Sequence, residues 1–410
     1  MPHNTIQPNE LRPEVVSVHA INSFVAHNSP SRSVMMSGHI SQHVVIQGSE
    51  PQRTQSGMAD ELGLYTMAVK MPANGRIIQA IARYPQGVGE GSLQFNPETL
   101  IIYENDDTKE IDYFVVPYHA SYHQFFGYRN EMKEAMNHLV PNTEVAKGTV
   151  FADTPANKDF HNYTFGRNIN VALMSVPGVS EDGIIVSEDV LKHYRFFVYE
   201  TRTAEVGSKN FPLNLLGGNK EYKIFPDIGE FTRDDGILLM TREYDPDLAP
   251  VDMSTSDVQN IDYTFDTALY AREGNGTTKD GKFVSNGRVV DIKVVSNNDN
   301  NRNLPPAMSG QLEKYAKALR RYYQDLLDVE TRLTYERKRK FGEAKLKISE
   351  RLQNLLVEAR SIINYQPEKM KGPLNLIYRR APLDEYSITF VVEYEITPDI
   401  GFKLTGVNGD

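Results

Sequence analysis

Between residues 308 and 365 apolar side chains recur at the spacing of a helix, and no other stretch of this chain holds one period for so long. Leu312, Tyr315, Leu319, Tyr322, Leu326, Val329 and Leu333 follow one another in alternating steps of three and four, which keeps one face of a helix apolar. Ile348, Leu352, Leu355, Ala359 and Ile362 repeat those steps. Between Leu333 and Ile348 the interval is fifteen residues, so the phase slips by one, and Gly342 lies inside the slip. Two helices folded back as an antiparallel hairpin are therefore expected over 306–366. One unbroken helix there would be roughly 85 Å long, at about 1.5 Å per residue. The basic stretch ERKRKFGEAKLK is then expected at the far end of an arm.

The rest of the chain reads as strands. The runs YTMAVKM, RIIQAIARY and IDYFVVPYH alternate with turn residues, a pattern of antiparallel or mixed strands. YHQFFGYRNEMKEAMNHLV predicts a short helix closed by Pro141-Asn142. INVALM and GIIV predict two strands around a turn of Pro177, Gly178, Ser180, Glu181 and Asp182. GRVVDIKVV and SITFVVEYEI are further strands. The fold class is α+β and strand-dominated, with an extended arm over residues 1–30.

Composition narrows the function classes. With 40% hydrophobic and 24% charged residues, the chain belongs among globular proteins rather than disordered ones. No apolar run reaches the 18 or so residues of a membrane span, and no secretory signal is expected at the N-terminus. The absence of cysteine removes disulfides, thiolate metal sites and cysteine nucleophiles together. A formal net charge of −10 counts against a protein that grips nucleic acid alone, because phosphate neutralisation supplies most of that affinity. It leaves room for a local basic groove.

Four places could carry chemistry. Glu181 and Asp182 are adjacent carboxylates in a turn and could orient a divalent metal or its waters, although acidic pairs are also ordinary turn residues. Arg32 could clamp a phosphate with two parallel hydrogen bonds, or simply be a surface arginine near a helix start; Gln42 follows it in SRSVMMSGHISQ. Lys403, in the glycine-rich GFKLTGVNG, could meet phosphate as a point charge, or end a hairpin. Other patterns fail on inspection. His119 and His123 have the i, i+4 spacing of metal ligands but lack a third ligand or an HExxH glutamate. GVGEG at 87–91 is not a dinucleotide fingerprint, and neither a phosphate-binding P-loop nor a GxSxG elbow is present.

Taken in order, five segments resemble one family, the β-type (second-largest) subunit of multisubunit DNA-dependent RNA polymerases. SRSVMMSGHISQHVV followed by RTQSGM is similar to its fork region, and NINVALMSVPGVSEDGIIVSEDVL to the segment with a Glu-Asp turn. FPDIGEFTRDDGILLM resembles the flap segment, and GRVVDIKVVSN the strand returning from it. ITFVVEYEITPDIGFKLTGVNGD resembles the strand and the start of a lysine-bearing loop. The whole looks most like the split β subunits of giant bacteriophages. The resemblance implies part of a double-psi β-barrel with a flap-like β domain. It divides the chain into a fork-like region at 1–60, a hybrid-binding region at 61–200 and a flap-like region at 201–305. The helical hairpin at 306–366 follows, and then a barrel strand with the lysine loop at 367–410.

The reaction implied is template-directed nucleotidyl transfer, with magnesium held mainly by the partner largest (β′-type) subunit. By resemblance Arg32 would meet the NTP phosphates, Gln42 would lie near the RNA end, and Lys403 would touch phosphate close to the 3′ end. Glu181 and Asp182 would support the second, nucleotide-borne magnesium, Asp182 through water. Partners implied are the largest subunit, the remaining β segment, template DNA, RNA product and NTPs, with no membrane. The place implied is the cytoplasm of an infected bacterial cell, a phage compartment or the virion. The chain departs from the family pattern at His39, Phe402 and Val407, where asparagine, aspartate and arginine are usual. The loop pattern continues beyond Asp410 with a lysine, so a longer working polypeptide is expected. A catalytically inactive polymerase-derived structural or binding protein is the alternative function.

Overall fold

A computed structural model describes residues 27–51, 67–84, 96–121, 126–158, 162–164, 166–178, 184–207, 210–219, 221–243, 258–271, 287–296, 304, 306–342, 345–363 and 386–398. Helix α1, Pro30–Ser41, starts at Ser29, whose hydroxyl accepts the Arg32 N–H at 3.4 Å. Pro30 occupies the first turn, where its missing N–H costs nothing. Strands β1 (Val69–Lys70), β2 (Gly75–Ala82), β3 (Glu98–Asn105), β4 (Ile111–Pro117), β5 (His119–Ser121), β6 (Phe126–Arg129) and β7 (Glu131–Met132) follow.

No α-helix forms over the described part of the helix expected in YHQFFGYRNEMKEAMNHLV: Phe126–Arg129 and Glu131–Met132 are strands, and Glu134–His138 is a single 3-10 segment. Gly127 gives the reason. A Cβ there would sit 2.4 Å from the Ala120 carbonyl oxygen and 2.7 Å from the Tyr199 ring, so this glycine lets neighbouring strands approach closely. Tertiary packing overrides the local helical pattern.

Onward come β8 (Glu144–Val145), β9 (Val150–Asp153), β10 (Asn157–Lys158), β11 (Asn162–Tyr163), the one-turn α2 (Glu188–Leu191) and the long β12 (Phe196–Val206). After them lie β13 (Asn210–Pro212), β14 (Ile237–Glu243), β15 (Asp266–Tyr270) and β16 (Arg288–Ser296). Helices α3 (Pro306–Phe341) and α4 (Glu350–Ile363) precede the last strand, β17 (Tyr386–Ile396). The fold is α+β and strand-dominated. Its largest sheets run β16-β17-β12-β6-β5 and β4-β3-β2-β8, with β13-β14-β15 and β1-β9-β7 as three-stranded sheets. Every pairing between these strands is antiparallel. No helix among the described residues is long and apolar enough to cross a membrane.

One helix serves two cores. The first half of α3 buries Met308, Leu312 and Tyr315 against Phe390, Ile292 and Leu239 of the five-stranded and β13-β14-β15 sheets. Its second half buries Tyr322, Leu326 and Val329 with Leu352, Leu356 and Ala359 of α4, against Ile81, Leu100 and Ile102. Burial of each such side chain contributes about 1.5–3 kcal/mol. The Tyr315 hydroxyl donates to Asp227 at 2.7 Å, which tethers α3 to the loop before β14.

Gly342, at φ 72°, ends α3 in the left-handed region that glycine enters without strain. The chain then turns back along the edge of β4. Ile111 N–H donates to the Lys347 carbonyl, Ser349 N–H donates to the Ile111 carbonyl, and the Ser349 hydroxyl caps α4 by accepting the Leu352 N–H. The expected helix pair is present, but its basic end does not stand off as an arm. It lies beside the β2-β3-β4 sheet, because the apolar stripe of α3 continues past Tyr322 and must be covered.

Candidate functional site

The end of β12 at Phe196 is a meeting point of three segments distant in sequence. Ile46, four residues after Gln42, bridges to Phe196, and Gln47 N–H donates to the Arg195 carbonyl at 2.8 Å. Ile396, the last residue of β17, lies directly opposite Phe196, and Arg195 pairs with Glu395 at 3.0 Å. Residues 46–51 also hold the near side of the Glu-Asp segment. Arg167 pairs with Glu50 at 2.6 Å and donates to the Gly48 carbonyl, while Asn168 donates to Glu50 and to the Pro51 carbonyl. Residues 167–168 and 195–196, on either side of the Glu-Asp segment in sequence, are therefore both fastened next to the segment that follows α1.

That segment is held rigidly. His43 lies between the Ile40 carbonyl, 2.5 Å from Nδ1, and the Tyr163 hydroxyl, 3.0 Å from Nε2. Burial lowers the His43 pKa below the ordinary histidine value. The neutral ring then donates from Nδ1 and accepts from tyrosine at Nε2. Ser49 and Thr164 share a buried hydrogen bond of 2.8 Å.

Of the residues singled out from sequence, Arg32 and Gln42 are described and both are exposed. They occupy opposite ends of α1, about 15 Å apart along its axis at about 1.5 Å per residue, so one ligand group cannot touch both. Glu181, Asp182 and Lys403 lie outside the described residues, as does His123. His119 stacks on Tyr199 with ring centroids 4.2 Å apart. Burial pushes its pKa down to about 4, so the ring is neutral at pH 7.

The runs INVALM and GIIV were expected as strands, yet residues 169–176 and 184–187 form no strand pairing among the described residues. Val171, Leu173 and Met174 are 74%, 98% and 74% exposed, and Ile184 and Ile185 are exposed as well. A strand needs a neighbour for its backbone groups and a surface for its side chains. Contiguous exposed apolar residues of this kind mark a contact surface.

Two buried ionic clusters escaped the sequence reading. Glu393 on β17, 2% exposed, accepts from Arg129 Nε at 2.8 Å, from Arg288 at 3.1 Å and from the Tyr199 hydroxyl at 2.9 Å. The cluster ties β17 to β6, β12 and β16 three residues before the chain leaves toward Lys403. Arg83, equally buried, pairs with Asp291 at 2.5 Å and Glu98 at 3.2 Å. The signal available was a charged residue inside an apolar strand run: Glu393 in SITFVVEYEI, Asp291 in GRVVDIKVV and Arg83 in RIIQAIARY.

Burial alone would raise the Glu393 carboxyl, but Arg129, Tyr199 and Arg288 outweigh it and hold the pKa below the ordinary 4.5. A depressed carboxylate stabilises the fold above its unfolded value, and that contribution is lost as pH falls through the folded value. Glu393→Gln is therefore expected to lower the thermal midpoint at pH 7, with the gap to the parent narrowing below about pH 4.5. Thermal melts across pH 3–7 check this, and a constant gap would contradict it.

Among the described residues no group of three or more His, Asp or Glu could hold a metal ion. Comparison with protein families and with curated proteins finds no match.

Proposed function

We propose that this chain forms part of the active centre of a multisubunit DNA-dependent RNA polymerase, as a β-type segment supporting NTP and RNA 3′-end binding. The observation that carries this reading is the meeting at Phe196 of Ile46, which follows the helix with Arg32 and Gln42 at its ends, and Ile396, the last residue of β17. The exposed apolar residues before and after Glu181 and Asp182 in sequence add to it, since contiguous exposed apolar side chains favour a partner's cover. In this reading the largest subunit covers those runs, brings the main magnesium carboxylates, and completes a double-psi β-barrel to which this chain contributes. Residues around 201–305 are the flap-like region of that assembly.

Within it, Arg32 binds NTP phosphates through its planar fork. Gln42 lies toward the RNA end, and Lys403 offers a point charge to phosphate near the 3′ oxygen. Glu181 and Asp182 orient water around the nucleotide's own magnesium. The purified chain alone is expected to make no RNA, and to do so in a complex with an Asp-rich largest subunit, template and NTPs. In that complex Asp182→Ala is expected to slow nucleotide addition at least about tenfold, roughly 1.4 kcal/mol of barrier. Unaltered elongation by Asp182→Ala would make Glu181 and Asp182 ordinary turn carboxylates, and an assembled complex that makes no RNA at all would favour an inactive scaffold derived from a polymerase. Template-directed synthesis by the lone chain would remove the proposal altogether.

A further inference from the structure

We infer that the groove between the distal end of α3 and the β2-β3-β4 sheet binds single-stranded nucleic acid, apart from any site near Phe196. The groove encloses about 430 Å³, within the range of about 300–1,000 Å³ typical of ligand clefts. Arg332, Arg337 and Lys340 of α3 line one wall, and Arg76 and Lys109 the other. Two carboxylates, Glu104 and Glu336, also line it, and Glu104 is committed to Arg76 at 2.7 Å. Cations are thus concentrated in one cleft of a chain whose total charge is −10. A phosphate chain is the ligand class that such a local excess attracts.

A second, independent feature is aromatic. Phe341 lines the same groove at its mouth, one residue from Lys340, and is 73% exposed. Phenylalanine left in water beside cations offers a flat face on which a base can stack. Only an unpaired strand presents that face, because in a duplex the bases stack on each other. Backbone phosphates then lie along Arg332, Arg337 and Lys340, while one base covers Phe341. Packing keeps the walls in place without a ligand: Arg332 donates to Gln79 at 2.9 Å, and the turn after α3 is hydrogen-bonded to the edge of β4.

The test is fluorescence anisotropy of a labelled twelve-nucleotide oligo-dT with the full chain at 50 mM salt. With about three phosphates neutralised, affinity is expected to fall about tenfold on raising salt to 150 mM. The double variant Arg332→Glu/Lys340→Glu is expected to weaken binding by about tenfold or more, and Phe341→Ala by about fivefold or more. Arg321→Glu alters charge at an exposed position of the same helix, about 16 Å from Arg332, and is expected to change affinity less than about threefold. All four positions altered are exposed, so circular dichroism and thermal midpoints should match the parent. Three results would overturn the inference: no binding at 50 mM salt, equal losses for Arg321→Glu and the groove variants, or a duplex of the same length bound as tightly.

Discussion

Asp291→Ala is expected to destabilise the chain by about 3 kcal/mol or more, the largest single-residue effect on folding anticipated here. Asp291 sits at a β-bulge, where β16 shifts register against β17 between Val289 and Asp291. Bulges re-aim side chains, and this one directs a carboxylate at Arg83, which is 2% exposed. Removing the carboxylate leaves a guanidinium out of water with only Glu98, at 3.2 Å, to balance it. Breaking a buried pair from one side costs about 3–5 kcal/mol, whereas replacing both partners by apolar residues of similar volume is often neutral. Arg83→Met/Asp291→Leu should therefore recover most of what Asp291→Ala loses. Denaturant titrations of the parent and both variants decide it. A loss under about 1 kcal/mol for Asp291→Ala would mean that water reaches Arg83 and that the pair is ordinary surface electrostatics.

The second large effect falls on association rather than on folding. If the proposed polymerase function holds, Leu173→Asp is expected to weaken binding to the largest subunit by at least about 30-fold, since burying an unpaired carboxylate costs about 2 kcal/mol or more. Leu173 is 98% exposed in the chain by itself. The same substitution should therefore leave the isolated chain's stability within about 0.5 kcal/mol. Such a split between the two measurements belongs to an interface residue and not to a core residue. Titration of the partner subunit against parent and variant, alongside thermal melts of each alone, makes the distinction. Undiminished association would remove the exposed run around Leu173 from the interface and, with it, one support of the polymerase proposal.

Much of the local structure was legible in the amino-acid order. The steps of three and four from Leu312 to Leu333 and from Ile348 to Ile362, with Gly342 in the slip, mark both helices and the break between them. Their signal is local, because a helix closes its own hydrogen bonds and needs only one covered face. The runs RIIQAIARY, GRVVDIKVV and SITFVVEYEI marked strands for a similar reason: β-branched and aromatic residues suit a pleated, buried surface. Of the site candidates, Arg32 lies in the first turn of the helix that precedes the Phe196 junction, and Gln42 caps its end.

What each strand pairs with was decided by tertiary structure alone. INVALM reads like a buried strand and yet is exposed, because apolar composition states a need for cover without saying where the cover comes from. Residues 126–132 read as helix and became strand, since close packing at Gly127 outweighed the local period. The stripe on α3 determined that something must cover it; only the fold decided that two sheets would share the task and bring the basic end of α3 against one of them. Arg83 with Asp291, and Glu393 with Arg129 and Arg288, lie more than 100 residues apart in sequence. Charges so separated become partners only when strand register sets them face to face.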